Sequence, residues 1–262
     1  MILTRAFALA LVTFTSCNQR IQAQPANRVV STVRFVPPPP PERGAPSGRR
    51  RGGASRSGQC PAVDQPLTAL VPATQKTLAQ GQGGNPALTT LESVWGLTLA
   101  QSPILWFYVP YALTPKLPLE LVLQDEHDNY VLKTSFTATQ TQPGIVSFRL
   151  PSTPAPLEVG KMYHWYFLID CDPDAPALVE GWIQRSAINP TLISQLHKAT
   201  PRQRIALYAA NGIWYNALTT LAELRSANPQ DATLSQEWVS LLHSVGLDAI
   251  AREPLIHCCT PR

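Results

Sequence analysis

The 262-residue chain lacks the short motifs that mark many catalytic centres. There is no Gly-x-Ser-x-Gly elbow, no His-Glu-x-x-His helix and no Gly-x-x-x-x-Gly-Lys loop, so a hydrolase nucleophile elbow, a two-histidine zinc site and a phosphate cradle have no sequence support. Beyond the N-terminal region no apolar run reaches the length of a membrane span. Between Gly44 and Cys60 there is no aromatic residue on which a base could stack, which argues against a nucleic-acid surface despite the arginines there. His127, His164, His197 and His243 stand apart and read as surface or satisfied core histidines, and Asp125 and Glu126 fall in a solvated turn.

What is present begins with an address. Arg5, the apolar run 6–14 and the small and polar residues that follow have the order of a secretory signal, too short to span a bilayer. Two processing readings compete. Ile21 and Ala23 suit signal-peptidase cleavage after Ala23, giving a signal peptide at 1–23. Phe14-Thr15-Ser16-Cys17 resembles a lipobox that would make Cys17 a lipid anchor, with Phe in place of the usual leucine. Either reading places the protein in the periplasm or cell envelope.

Charge is distributed by region. Arg28, Arg34, Arg43, Arg49, Arg50, Arg51 and Arg56 face the lone Glu42 before Cys60, whereas acids outnumber bases from Pro61 onward. Pro37 to Pro41 favour polyproline II, and the Gly, Ser and Arg residues that follow have little apolar surface to bury. Residues 24–60 are therefore expected to form a disordered cationic arm, a spacer that leans on an anionic envelope surface.

From 61 to 188 the chain shows short apolar runs broken by proline and polar turns. Runs at 67–71, 103–109, 119–124, 130–136, 144–150, 161–171 and 179–185 read as strands; 104–108 suits burial on both faces, and 125–129 has hairpin-loop length. The expectation is an antiparallel β-sandwich of immunoglobulin-like type. The pattern turns helical over 189–262: Thr200 and Pro201 start one helix, and Ile213, Trp214, Ala217, Leu218, Leu221 and Leu224 share the face of another. Asn228-Pro229 ends that helix, and Gly246 caps a last one. The fold class expected is α+β.

In an oxidising compartment Cys60 and Cys171 are natural disulfide partners, fastening the arm to the sandwich. Cys258 and Cys259, beside His257, read as a vicinal disulfide, a soft-metal site or two thiols on a frayed tail, the last fitting their terminal position. Asp170, Asp172 and Asp174 alternate as calcium ligands do, but the run lacks the Gly and Glu an EF-hand loop requires at its sixth and twelfth positions.

Several segments together resemble one family. Arg43-Gly44-Ala45-Pro46, Cys60-Pro61, Tyr163-His164-Trp165-Tyr166-Phe167 running to Cys171-Asp172-Pro173, Gly181-Trp182-Ile183-Gln184-Arg185 and Gly212-Ile213-Trp214-Tyr215-Asn216-Ala217 are similar to a largely cyanobacterial group catalogued as domain of unknown function 928. Members of that family often have Thr or Gly where Ala54-Ser55 stand and Asp where Asn216 stands. The resemblance implies an exported bacterial protein and supplies no activity, ligand or catalytic residue. The functional expectation is a non-catalytic envelope module that binds another envelope protein or an anionic surface, with no nucleic acid, no cofactor and no transmembrane span in the mature chain. A small-ligand or metal-binding sandwich using the tryptophan-rich strands is the alternative, and an uncatalogued hydrolase a third.

Overall fold

A computed structural model describes residues 33–41, 44–53, 60–80, 87–151, 156–172 and 174–261. The signal segment, its two processing sites and Cys17 lie outside the described residues, as do Arg28, Arg43 and Arg56. The elements in chain order are β1 (Thr68–Ala69), β2 (Ala73–Gln80), β3 (Ala87–Thr98), β4 (Ile104–Val109), β5 (Leu119–Gln124), β6 (Tyr130–Thr137), β7 (Gly144–Arg149), β8 (Met162–Ile169) and β9 (Ala177–Arg185). These are followed by α1 (Pro190–Lys198), α2 (Pro201–Ala210), α3 (Trp214–Ala227), α4 (Ala232–His243) and β10 (Thr260–Pro261). The fold is mixed α+β. No helix among the described residues is long and apolar enough to cross a membrane.

The strands form a three-stranded sheet, β1-β4-β7, and a seven-stranded sheet, β10-β6-β5-β8-β9-β3-β2. Alternation drives the second: Tyr163, Trp165, Phe167 and Ile169 of β8 are buried while Met162, His164, Tyr166 and Leu168 face outward. The sheets meet through aromatic rings. Phe107 of β4 stacks on Phe167 at 4.2 Å, and Phe148 of β7 lies 4.6 Å from Phe136 and 4.8 Å from Phe167. β4 is buried along its whole length because its other face is covered too: Trp106 Nε1 donates to Thr219 Oγ1 of α3 at 3.0 Å.

Two strands carry a correction. β2 and β3, which pair with each other along their length, stand where no strand was read, and β3 runs parallel to β9 through Trp95–Trp182 to Thr98–Arg185. The expected all-antiparallel arrangement therefore fails at one pair.

The helices start where their caps predict. Asn189, Thr200 and Asp231 accept from backbone N–H groups at the starts of α1, α2 and α4, and Thr200 with Gln203 forms a full capping box. α3 has no side-chain cap. Its first turn enters the strands instead: Trp214 Nε1 donates to Leu70 O at 2.7 Å, Tyr215 Oη accepts from Trp165 Nε1 at 3.1 Å and donates to Trp182 O at 3.3 Å, and Asn216 Oδ1 accepts from Leu99 N and Thr98 Oγ1 at 2.8 and 3.1 Å. Gly96 is the close approach that admits this turn, since a Cβ there would stand 3.1 Å from the Tyr215 ring. Burial pushes the Tyr215 hydroxyl far above its usual value, so it is a neutral donor and acceptor.

The arm differs most from expectation. Val33 and Phe35 are buried, Phe35 at 3 % exposure with its ring edge-on to Trp214 at 5.0 Å. Further along, Ser47 pairs with Ser93 of β3, Arg49 with Glu180 of β9 and Arg51 with Thr68 of β1. The segment 47–51 thus lies where β3 and β9 diverge and links the seven-stranded sheet to the three-stranded one. Gly48 is required there: a Cβ would fall 2.8 Å from the Val94 Cβ and 3.0 Å from Glu180 O. Described residues of the expected disordered arm are a structural strap, because backbone pairing and two buried side chains outweigh its polar composition.

The C-terminus closes the opposite margin. Ile145 N donates to Pro254 O, Ile256 N donates to Ile145 O, and Thr260 and Pro261 pair with Thr137 and Phe136 of β6. Cys258 and Cys259, disulfide-bonded to each other with Cys259 at φ 73°, lie between these two attachments. The frayed-tail reading is overturned by this pairing. Cys60 and Cys171 are also disulfide-bonded, across a sequence separation of 111.

Phe35→Ala is expected to cost about 3–5 kcal/mol in urea unfolding, as for a core aromatic, whereas a solvated arm would show almost no change. Cys60→Ser with Cys171→Ser is expected to remove about 2–5 kcal/mol by the same measurement.

Candidate functional site

The strap forms one wall of a concavity among the described residues. After Phe35, whose N–H donates to Ser244 Oγ, Val36 N donates to Ala209 O and Pro38 packs on Gly212 at the α2–α3 turn. Gly212 has φ 73°, and a Cβ would reach within 3.0 Å of the Pro38 ring. The prolines then leave the helices before the chain rejoins the sheet at Ser47. Between this strap, β2, β3 and the 244–246 turn lies a cleft of about 750 Å³. Phe35, Pro37, Pro38, Pro40, Pro72 and Trp95 give it apolar walls; Thr74, Gln75, Glu92, Ser93 and Arg50 supply polar groups.

Arg50 and Glu92 are fixed by the fold. Arg50 NH1 donates to Val245 O at 2.7 Å, placing a cation against the carbonyls after α4, and Arg50 N donates to Glu92 Oε2 at 3.0 Å. Burial lowers the Arg50 pKa, with Glu92 opposing it. The arginine run is therefore divided in role: Arg49 joins the Glu180 pairing, Arg50 closes the end of α4, and Arg51 is exposed beside Thr68.

A second group of side chains continues from this cleft. On the outward face, Trp95, Trp182 and His164 are direct neighbours on β3, β9 and β8. His164 stacks on Trp182 at 4.3 Å, Trp182 Nε1 donates to Ser47 O at 2.9 Å, and His164 Nδ1 hydrogen-bonds Tyr166 Oη at 2.7 Å. His164 Nε2 lies 3.2 Å from Glu180 Oε2. The order phenol, imidazole, carboxylate resembles a nucleophile–base chain, but burial, followed by Glu180, raises the Tyr166 pKa. A phenolate nucleophile needs the opposite shift. The chain is better matched to holding the strap: the His164 imidazole, aided by Arg49 against the effect of burial, keeps the Glu180 carboxyl below the usual carboxylate range.

The other residues singled out in the sequence are placed as follows. Asp172 is fully buried, its Oδ1 accepting from Asp174 N at 3.0 Å and its carbonyl from Ala175 N, while Asp170 and Asp174 are exposed. These bonds make a capped turn, and among the described residues no group of three His, Cys, Asp or Glu side chains is placed to hold a metal ion. Asp125 caps the β5–β6 loop through His127 N and Asn129 N, and these hydrogen bonds with Asn129 lower its pKa. His243 pairs with Asp248 on the surface. Asn216 acts as a hydrogen-bond acceptor, a role an aspartate oxygen fills equally well. The sequence reading missed Trp95, Glu92 and Gln75, all on the β2–β3 hairpin; the Thr, Val and Trp content of 89–98 was the available signal.

Because Glu180 titrates lower in the folded protein than in the unfolded chain, its contribution is complete above the ordinary carboxylate range and is lost as pH falls through the lowered folded value. Glu180→Gln is expected to lower Tm by a few degrees at neutral pH. The gap to the wild type is expected to close as pH falls through the lowered folded value, as read in thermal melts across pH.

Residues 51–255 match the family described as Domain of Unknown Function (DUF928). No curated protein and no solved structure matches the chain significantly. The match covers β1 to β9 and all four helices, and the chain belongs to the DUF928 family.

Proposed function

We propose that this is an exported, non-catalytic binding module of a cyanobacterial cell envelope that takes its ligand in the cleft between the proline strap and β3. The observation that carries the reading is that cleft: about 750 Å³, apolar-walled, with a few fixed polar groups, and continuous with the Trp182–His164 row. Export is supported by the signal-like order of Arg5 and the run 6–14, with Cys17 as the alternative, lipid-anchored start of the mature chain. Two disulfides fit an oxidising compartment such as the periplasm. The immunoglobulin-like character of the sandwich belongs to the same proposal, supported by two facing sheets of mainly antiparallel strands.

The cationic N-terminal region would orient the module on an anionic surface. Removing 43–56 does not isolate that role, because 47–51 bridges the two sheets. Trp95→Ala is the sharper variant. Wild-type protein is expected to co-sediment with an isolated cell-envelope fraction, and Trp95→Ala to be retained at least fivefold less at unchanged Tm. Equal retention of the two proteins would exclude the cleft as the binding surface.

A further inference from the structure

The two disulfides are chemically unlike. Cys60–Cys171 joins distant segments at a Cα separation of 5.0 Å, within the range of about 4.4–6.8 Å usual for such bridges, and Cys60 is buried. Cys258–Cys259 closes a small ring around the peptide bond between neighbours, at a Cα separation of 3.7 Å that adjacency imposes. A bridge held below the usual separation is more easily reduced. Both of its residues are half-buried, packed on the margin of the core and within reach of solvent. Among the described non-glycine residues only Asp128 and Cys259 have positive φ. Asp128 sits in the β5–β6 loop, a setting in which aspartate adopts that conformation readily. Cysteine has no such preference, and Cys259 at φ 73° is held there by its ring.

That ring stands between two attachments of unequal strength. Upstream, Ile145 N donates to Pro254 O at 2.7 Å, Ile256 N donates to Ile145 O at 2.8 Å, and Leu255 and Ile256 pack on the core. Downstream, β10 consists only of Thr260 and Pro261, paired with Thr137 and Phe136, and Pro261 has no N–H to donate. Among the described residues no backbone hydrogen bond involves His257, Cys258 or Cys259. The direction in which the chain leaves Cys259 therefore depends on the ring. Once the S–S bond is broken, Cys259 is free to return to the negative φ that L-residues favour, which turns Thr260 and Pro261 away from β6. Phe136, buried at the end of β6, then loses the strand beside it.

We propose that Cys258–Cys259 is a redox-active site that a dithiol reduces, and that its reduction releases the end of the chain from β6. One thiolate of the dithiol attacks a sulfur of the bridge, the S–S bond breaks and a mixed disulfide forms. The second thiol of the reductant then displaces that bond. Two electrons and two protons pass to the protein, leaving Cys258 and Cys259 as thiols and the reductant as its own disulfide. Exchange with a more oxidising disulfide reverses each step and closes the tail again. Cys60–Cys171 stays intact throughout, and the site works independently of the cleft beside the strap.

The test is to incubate the folded full chain in graded dithiothreitol, quench in acid, alkylate in denaturant and map the cysteines by mass spectrometry. Cys258 and Cys259 are expected to be labelled at a dithiothreitol concentration at least tenfold below that needed for Cys60 and Cys171. After this first reduction, hydrogen exchange is expected to quicken at least tenfold in peptides covering 258–261 and 135–137, and to stay unchanged at Ile145, whose N–H is held by Pro254. Cys258→Ser with Cys259→Ser is expected to show the fast exchange with or without reductant. Free thiols at Cys258 and Cys259 in protein purified without reductant overturn the proposal, as does reduction of Cys60–Cys171 together with or before the vicinal pair. Slow exchange that persists at 258–261 in the reduced wild type or in the double variant overturns it equally.

Discussion

The first turn of α3 is the constraint on which the rest depends. A helix normally satisfies its leading N–H groups with a cap, but here Trp214, Tyr215 and Asn216 give their side-chain hydrogen bonds to Leu70, Trp165, Trp182, Leu99 and Thr98. Those partners belong to β8, β9, the end of β3 and the segment after β1, so one turn sets the separation of both sheets. A buried Tyr hydroxyl or Trp N–H left without its partner carries a desolvation cost of about 1–3 kcal/mol. The arrangement is consequently close to all-or-none: moving any one of these strands strands a polar group on another.

Both chain ends then complete what α3 positions. The strap at 47–51 joins β3 and β9 to β1, and the tail at 254–261 passes from β7 to β6, so each margin where the two sheets part is covered by backbone. Sheet margins left open are sites of unwanted pairing. A disulfide accompanies each closure, Cys60–Cys171 beyond the strap and Cys258–Cys259 within the tail. The candidate cleft is a by-product of this plan, since it forms where the strap leaves the helices at Pro38 and has not yet entered the sheet at Ser47.

The sequence was most legible where one side chain pattern has one structural solution. The alternation in Tyr163 to Ile169, the unbroken apolar run of β4 and the Thr200-Pro201 helix start all carry local signals that tertiary contacts reinforce. β2 and β3 were not legible because much of the hairpin is solvent-facing, which removes the apolar periodicity by which strands are read. The strap was misread for a different reason. A segment made of Ser47, Gly48, Arg49, Arg50 and Arg51 has the composition of a linker, and its glycine is there because Val94 and Glu180 leave no room for a side chain. Trp95, central to the candidate site, was hidden with its hairpin; Trp182 and His164 were visible as residues, but their stacking depends on a strand register that no local pattern encodes.

The position of the strap also has a mechanical consequence. Its backbone bonds to Glu92, Glu180, Leu67 and Ala69 run across the strand direction, so tension applied along the chain from the N-terminal side would load several of them together in shear before separating any. Whatever survives that load reaches Cys60 and stops, because the disulfide to Cys171 passes the force into the end of β8 and bypasses the 110 residues between. A pull from that side would therefore meet Phe35 on Trp214 first, then the cross-strand bonds of the strap, and would reach β8 last, through the Cys60–Cys171 bond.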